Sequence, residues 1–226
     1  MVAPVLDWFF WLSALLMVAT YVRAIWFTPA DLLQGPTQKI FYMHVGSVMG
    51  GYTATTILVV TSVMHLWLRD ERTDWLAASA AEVSLVCYSL VLVAGSIYAK
   101  VIWGAWWVWE LRLTLTLLLW FLVLGYLVMR QAIEDPAMRA RFCAVLAILQ
   151  GLLIPFIHLA VYIVPDHMHP MPVALKPEKP SMPAPMLITF LMAMFAFILV
   201  AIALIRGRYR VTQLREQIAH IEAEAV

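Results

Sequence analysis

The sequence predicts an all-α integral membrane protein, a bundle of six transmembrane helices. Three observations carry this reading. Of 226 residues, 64% are hydrophobic and only 13% charged, with a mean hydropathy of +0.86, whereas soluble domains lie nearer half apolar and a quarter charged. Six stretches reach the roughly 20 apolar residues that a hydrocarbon core of about 30 Å requires of a helix. Only short polar breaks separate them, with no room for a soluble domain and no clear internal repeat.

The first span covers residues 6–28. It lacks a basic leading segment, carries Asp7, and is too long for the apolar region of a cleavable signal, so it is expected to remain as a span. Arg23 lies near its end and is expected to snorkel outward. The second span, 40–68, has His44 near one end and His65 near the other. The third, 75–101, contains Cys87 and has Glu82 close to its start. The fourth covers 112–130, the fifth, 138–164, contains Cys143 and His158, and the sixth covers 184–206. From Gly207 to Val226 the composition turns polar, and Val211, Leu214, Ile218 and Ile221 fall at spacings of 3, 4 and 3. That is a short apolar stripe on a polar helix, about two heptads long. The expected organisation is therefore a membrane domain over 1–206 and a C-terminal amphipathic helix over 207–226.

Six spans place both termini on one side. That side holds Arg69, Arg72, Arg130, Arg139, Arg141, Arg206, Arg208, Arg210 and Arg215, nine residues against Lys39, Lys100, Arg112, Lys176 and Lys179, five, on the other. The excess makes the terminus side cytoplasmic. The first, third and fifth loops then face outward. A net charge of +1 gives no electrostatic basis for binding nucleic acid. Cys87 and Cys143 stand alone in apolar runs, with no CxxC pair for redox chemistry or c-type heme attachment, and read as packing residues. The sequence has no evident nucleophile with a base, catalytic carboxylate pair or nucleotide-binding loop, so no enzymatic activity is expected.

The third loop is the most distinctive segment. In WGAWWVWELRLT, Trp103 to Thr114, the tryptophans Trp103, Trp106, Trp107 and Trp109 occur within seven residues. An aromatic belt accounts for one or two tryptophans at a span end, not for four with Gly104 among them and Glu110 and Arg112 directly after. On a helix, Trp103, Trp106, Trp107 and Glu110 share one face. The expected result is a flat aromatic platform with a charged rim, suited to a large planar ligand. A porphyrin packs on indole faces, and its propionates pair with a guanidinium such as that of Arg112.

This segment resembles the tryptophan-rich "WWD" signature of heme-handling membrane proteins of cytochrome c biogenesis. The resemblance is to the heme exporter protein C family, also called cytochrome c maturation protein C. It extends to PADLLQGPTQKIFYMHV, from Pro29 to Val45, and to AEVSLVCYSLVLVAGSIYAKVIWGAWWVWELRLT, and covers most of residues 25–205. The family's acidic position is usually Asp and here is Glu110.

His44 and His65 lie 21 residues apart on one helix, roughly 32 Å, so they cannot share an iron. His65 reads as an interfacial residue and His220 as part of a solvated tail. His158, inside a span, is a candidate for function by its position, with a hydrogen-bonded structural imidazole as the alternative. Tyr42 and Tyr52 flank His44 and are candidates to border a ligand. Heme iron commonly takes axial His ligands, and the outer side offers His44 together with His167 or His169. The resemblance implies one ligand at the start of span two, which His44 in FYMHV matches. It implies a second in the last outer loop, where Met168-His169-Pro170 fits best and His167 is the alternative. It further implies heme b as transient cargo. The implied partners are a periplasmic heme chaperone, a small single-span membrane subunit and ABC-transporter subunits, at the cytoplasmic (inner) membrane. Two other classes remain open: a heme permease, needing a polar path through the spans, and a heme redox protein, needing a second ligand pair such as His65 with His158.

Overall fold

The computed structural model describes residues 6–164, 168–169 and 182–224. His167, Pro170, Lys176 and Lys179, and the side chain of His220, lie outside the described set. Six α-helices make up the fold: α1 (Trp8–Val22), α2 (Lys39–Leu68), α3 (Glu71–Trp103), α4 (Leu111–Ala132), α5 (Pro136–Ile163) and α6 (Ala184–Glu224). Among the described residues six helices are long and apolar enough to cross a membrane, as the six apolar stretches predict. A helix satisfies its own backbone polar groups, which a bilayer core cannot do.

On the terminus side the connections are tight and capped from the sequence. Asp7, Asp70 and Asp135 each occupy an N-cap, accepting from the backbone N–H of Phe10 at 3.1 Å, Arg72 at 2.9 Å and Met138 at 2.7 Å. Pro136 follows at the first position of α5. Arg69 closes α2 in a left-handed conformation, φ 55°. The side of the first, third and fifth loops carries the longer segments, where binding residues concentrate.

α2 is the central helix and packs on α3, α6 and α5. α1 leans on α6, and α4 sits against α5 and α3. The α2–α3 seam includes a hydroxyl pair, Thr55 with Tyr88 at 2.8 Å. Ion pairs tie the terminus side together. Arg130 of α4 grips Asp74 of α3 through both guanidinium nitrogens at 2.8 and 2.6 Å. Asp7 holds Arg206 at 2.8 Å and Arg210 at 3.0 Å, and Glu82 of α3 pairs with Arg208 of α6. The start of α1 and the later part of α6 therefore lie on the same side.

A π-helical turn over Arg23–Phe27 closes the first span at the end away from the termini, and the Arg23 Nε donates to Thr189 of α6 at 3.1 Å, a hydroxyl that also meets Thr28 at 2.7 Å. The polar tail is helical and continues the sixth span. α6 runs unbroken for 41 residues, about 60 Å of helix, twice the thickness of a hydrocarbon core. Along the tail stripe, Ile218 and Ile221 are exposed, and Val211 and Leu214 are half-buried.

Candidate functional site

The tryptophan segment does not form one helical face. α3 ends at Trp103, and Gly104 takes a left-handed conformation, φ 76°, that terminates it. A side chain is strained there, and glycine is the residue that permits the stop. Residues 104–110 cross as an irregular segment until Leu111 opens α4. The predicted helical platform is thus replaced by an irregular segment. Trp103 meets the His169 ring edge-on, centroids 5.2 Å apart. Trp107 is half-buried, and its indole Nε1 is enclosed without a hydrogen-bond partner among the described residues. Trp109 packs edge-on against Trp107 at 5.8 Å, and Trp106 and Trp109 are largely exposed.

His44 stands one and a half turns into α2 and faces α3. Its Nδ1 lies 3.2 Å from the Val91 carbonyl oxygen. A carbonyl only accepts, so Nδ1 carries the proton and Nε2 is the nitrogen with a lone pair. The ring comes this close because Gly95, one turn on from Val91, has no side chain. A Cβ there would sit 2.9 Å from His44 Cε1 and 3.2 Å from Nδ1. The first loop braces the same end of α3. Asp31 accepts from the N–H groups of Leu33 and Gln34 at 2.8 Å each, and Tyr98 of α3 bonds the Gln34 side chain.

His169 comes from the fifth loop. Its Nδ1 bonds one oxygen of Glu110, whose other oxygen accepts the Met168 N–H at 3.0 Å. Glu110, expected on the rim of an aromatic platform, thus holds the fifth loop. Its side chain is only 9% exposed. His169 and Arg112 both lie within electrostatic reach of His44. Arg112, in the first turn of α4, is also within reach of Tyr52 and His158. A cleft of about 200 Å³ opens beside it, lined by Trp109, Glu110, Arg112 and Ala160 among others.

The structure thus brings His44, His169, Trp103, Glu110 and Arg112 to one end of the bundle. The profile of the heme exporter protein C family matches residues 1–224. The chain belongs to that family. A heme exporter protein C from Haemophilus influenzae is 31% identical over 208 residues, 92% of this chain and 84% of that one. Those of Escherichia coli K12 and Paracoccus denitrificans are 31% and 33% identical. The match covers 69% and 61% of this chain, and 65% and 58% of theirs.

In this heme exporter protein C family member the other candidates lie elsewhere. Tyr42 is fully buried in a cluster with Phe190 and Ala193 of α6. His158 packs on Tyr52, ring centroids 5.3 Å apart. His65 bonds the Asp70 carbonyl at 3.0 Å on the terminus side, 13 residues beyond Tyr52, roughly 20 Å along α2. His65 and His158 are not brought together. Cys87 and Cys143 are buried free thiols. Sequence reasoning missed the supports behind the two imidazoles: Val91, Gly95 and the role of Glu110. Gly95 carries a signal, since glycine inside a helix is about 1 kcal/mol worse than alanine and so marks a close approach.

Proposed function

We propose that this protein binds heme at the membrane face opposite its termini, with His44 and His169 as axial ligands, and passes it to a periplasmic heme chaperone. The observation that carries the reading is the matched preparation of two imidazoles from separate segments. Each has its Nδ1 engaged, by the Val91 carbonyl and the Glu110 carboxylate. That is the outer-shell bond that fixes the tautomer and orientation of a ligating histidine. The donor set suits heme iron, which takes axial histidine.

Two further features fit a porphyrin with carboxylate edges. The Trp107 Nε1 is a buried donor lacking an acceptor among the described residues, an arrangement rare enough to need a cause. Arg112 lines a cleft with Trp109 and Glu110, a cation able to grip a propionate. Trp103 lies against His169, and Trp109 lines the cleft beside Arg112. The cargo is heme b, unlinked to the chain, because no CxxCH is present to attach it.

The names of the relatives, and the family, support a role in heme handling for cytochrome c maturation. In that setting the acceptor is a periplasmic heme chaperone. A single-span membrane subunit and ABC-transporter subunits are the neighbours in the membrane. The nine basic residues on the terminus side, against five on the other, support cytoplasmic termini in an inner membrane, with residues 207–224 of α6 extending inward. A permease reading draws little support from the spans, because Glu82 is committed to Arg208.

The test is His44→Ala and His169→Ala, each purified from membranes beside the wild type. Each variant is expected to lose the absorption spectrum of a six-coordinate bis-histidine heme. Unchanged heme content and spectra in both would refute the assignment.

A further inference from the structure

The two imidazoles differ in what stands behind them. His44 donates from Nδ1 to a neutral carbonyl at 3.2 Å, toward the long end of the hydrogen-bond range. That carbonyl lies inside α3, where each C=O also serves the N–H four residues on. The Nδ1 of His169 bonds a carboxylate instead, and that carboxylate is itself fixed by the Met168 N–H and largely shielded from water. Hydrogen bonds to an ionised acceptor are roughly twice as strong as neutral ones. They draw the Nδ1 proton away from the ring and raise the basicity of the other nitrogen.

We propose that Glu110 makes the pair unequal: His169 is the firm ligand, and His44 is the one that yields first when heme leaves. This rests on the ligation proposed above, and it makes Glu110 a positioning residue rather than a contact of the cargo. The anchoring of the two residues points the same way. His44 is fixed on a 30-residue helix and wedged against Gly95, so it cannot follow a departing ligand. His169 is carried by a loop. At release the bond between His44 Nε2 and iron breaks with its electron pair kept by the nitrogen. A donor atom of the receiving protein takes the vacated position with its own pair. No proton or electron changes hands.

The experiment uses the full-length protein in detergent, loaded with hemin, as wild type and as H44A, H169A, E110Q and E110D. Hemin loss to an excess of apoglobin and the midpoint potential of the bound heme are both measured. Loss of an outer-shell partner weakens metal binding by about 10- to 100-fold. E110Q is therefore expected to release hemin at least about 10-fold faster and to raise the midpoint potential, because a weaker donor stabilises ferric iron less. E110D, which keeps the charge, is expected to stay close to wild type. H44A is expected to hold hemin longer than H169A. Where E110Q does not accumulate, that last comparison carries the test alone. Equal loss from H44A and H169A, or a wild-type potential in E110Q, would overturn the inequality and leave the ligation standing. Wild-type spectra in both histidine variants would remove the ligation itself.

Discussion

Replacing Gly95 by alanine tests the support of His44 with a single methyl group, at a position that need not touch the ligand. The added Cβ would lie 2.9 Å from His44 Cε1. Carbon atoms settle at about 3.5 Å or more, so the ring must back away by about 0.6 Å. The Nδ1 to Val91 oxygen distance is already 3.2 Å. Retreat along that line takes it to about 3.8 Å, beyond any useful hydrogen bond. A buried donor left unsatisfied costs about 1–3 kcal/mol. Alanine in place of glycine in a helix returns up to about 1 kcal/mol. The net effect on folding is small, so Gly95→Ala is expected to accumulate in membranes and to melt within a few degrees of wild type. The effect on heme is expected to be large. With the tautomer and ring position of His44 no longer set, affinity should fall by about 10- to 100-fold. Hemin titration followed by Soret absorbance measures it, with thermal unfolding in detergent as the control. A Gly95→Ala protein that binds hemin with wild-type affinity and spectrum would refute the idea that this contact sets the imidazole.

Two further outcomes follow from the same structure. Trp107→Phe removes a buried N–H that has no partner among the described residues. The heme-free variant is expected to be as stable as wild type or up to about 1–3 kcal/mol more so, while hemin binding weakens; a lower melting temperature with unchanged hemin affinity would contradict the role given to that nitrogen. At the terminus side, partial burial pushes the Asp7 carboxyl up, but the Phe10 N–H together with Arg210 and Arg206 outweighs it and holds the group below its ordinary value of 3.8. A carboxyl lowered on folding contributes stability above its unfolded value and loses it as pH falls through the folded one. Melting measured from pH 5 down to about pH 3 should therefore show an acid-dependent loss in wild type that is reduced in Asp7→Asn, and parallel curves would show that the contact of α1 with α6 does not depend on this charge.

The span architecture was legible because a bilayer leaves so few solutions. Twenty apolar residues bounded by charge can hardly be anything but a spanning helix, and Asp7, Asp70 and Asp135 marked three helix starts by their chemistry. The path of the tryptophan segment was misread for a local reason. Helical periodicity put Trp103, Trp106, Trp107 and Glu110 on one face, but Gly104 was the stronger signal, and its left-handed geometry ends α3 before the other three. The place of Arg23 near a span end was legible, and its partner was not. Only the tertiary structure puts the Thr189 hydroxyl within its reach.

What lay beyond the sequence was the pairing of each imidazole with its support, and the reason is distance along the chain. His44 and Val91 are 47 residues apart, and Glu110 and His169 are 59. No local pattern encodes a contact of that separation. Only the packing of α3 against α2 brings Val91 to His44, and only the return of the fifth loop over the start of α4 brings His169 to Glu110. The residue types in the tryptophan loop point to the class of ligand, but under the proposed ligation the order of release would depend on which acceptor stands behind each ring. A carbonyl shared with a helix and a carboxylate kept from water are unequal acceptors. A protein that hands its cargo on, rather than storing it, needs one bond weak enough to open before the other.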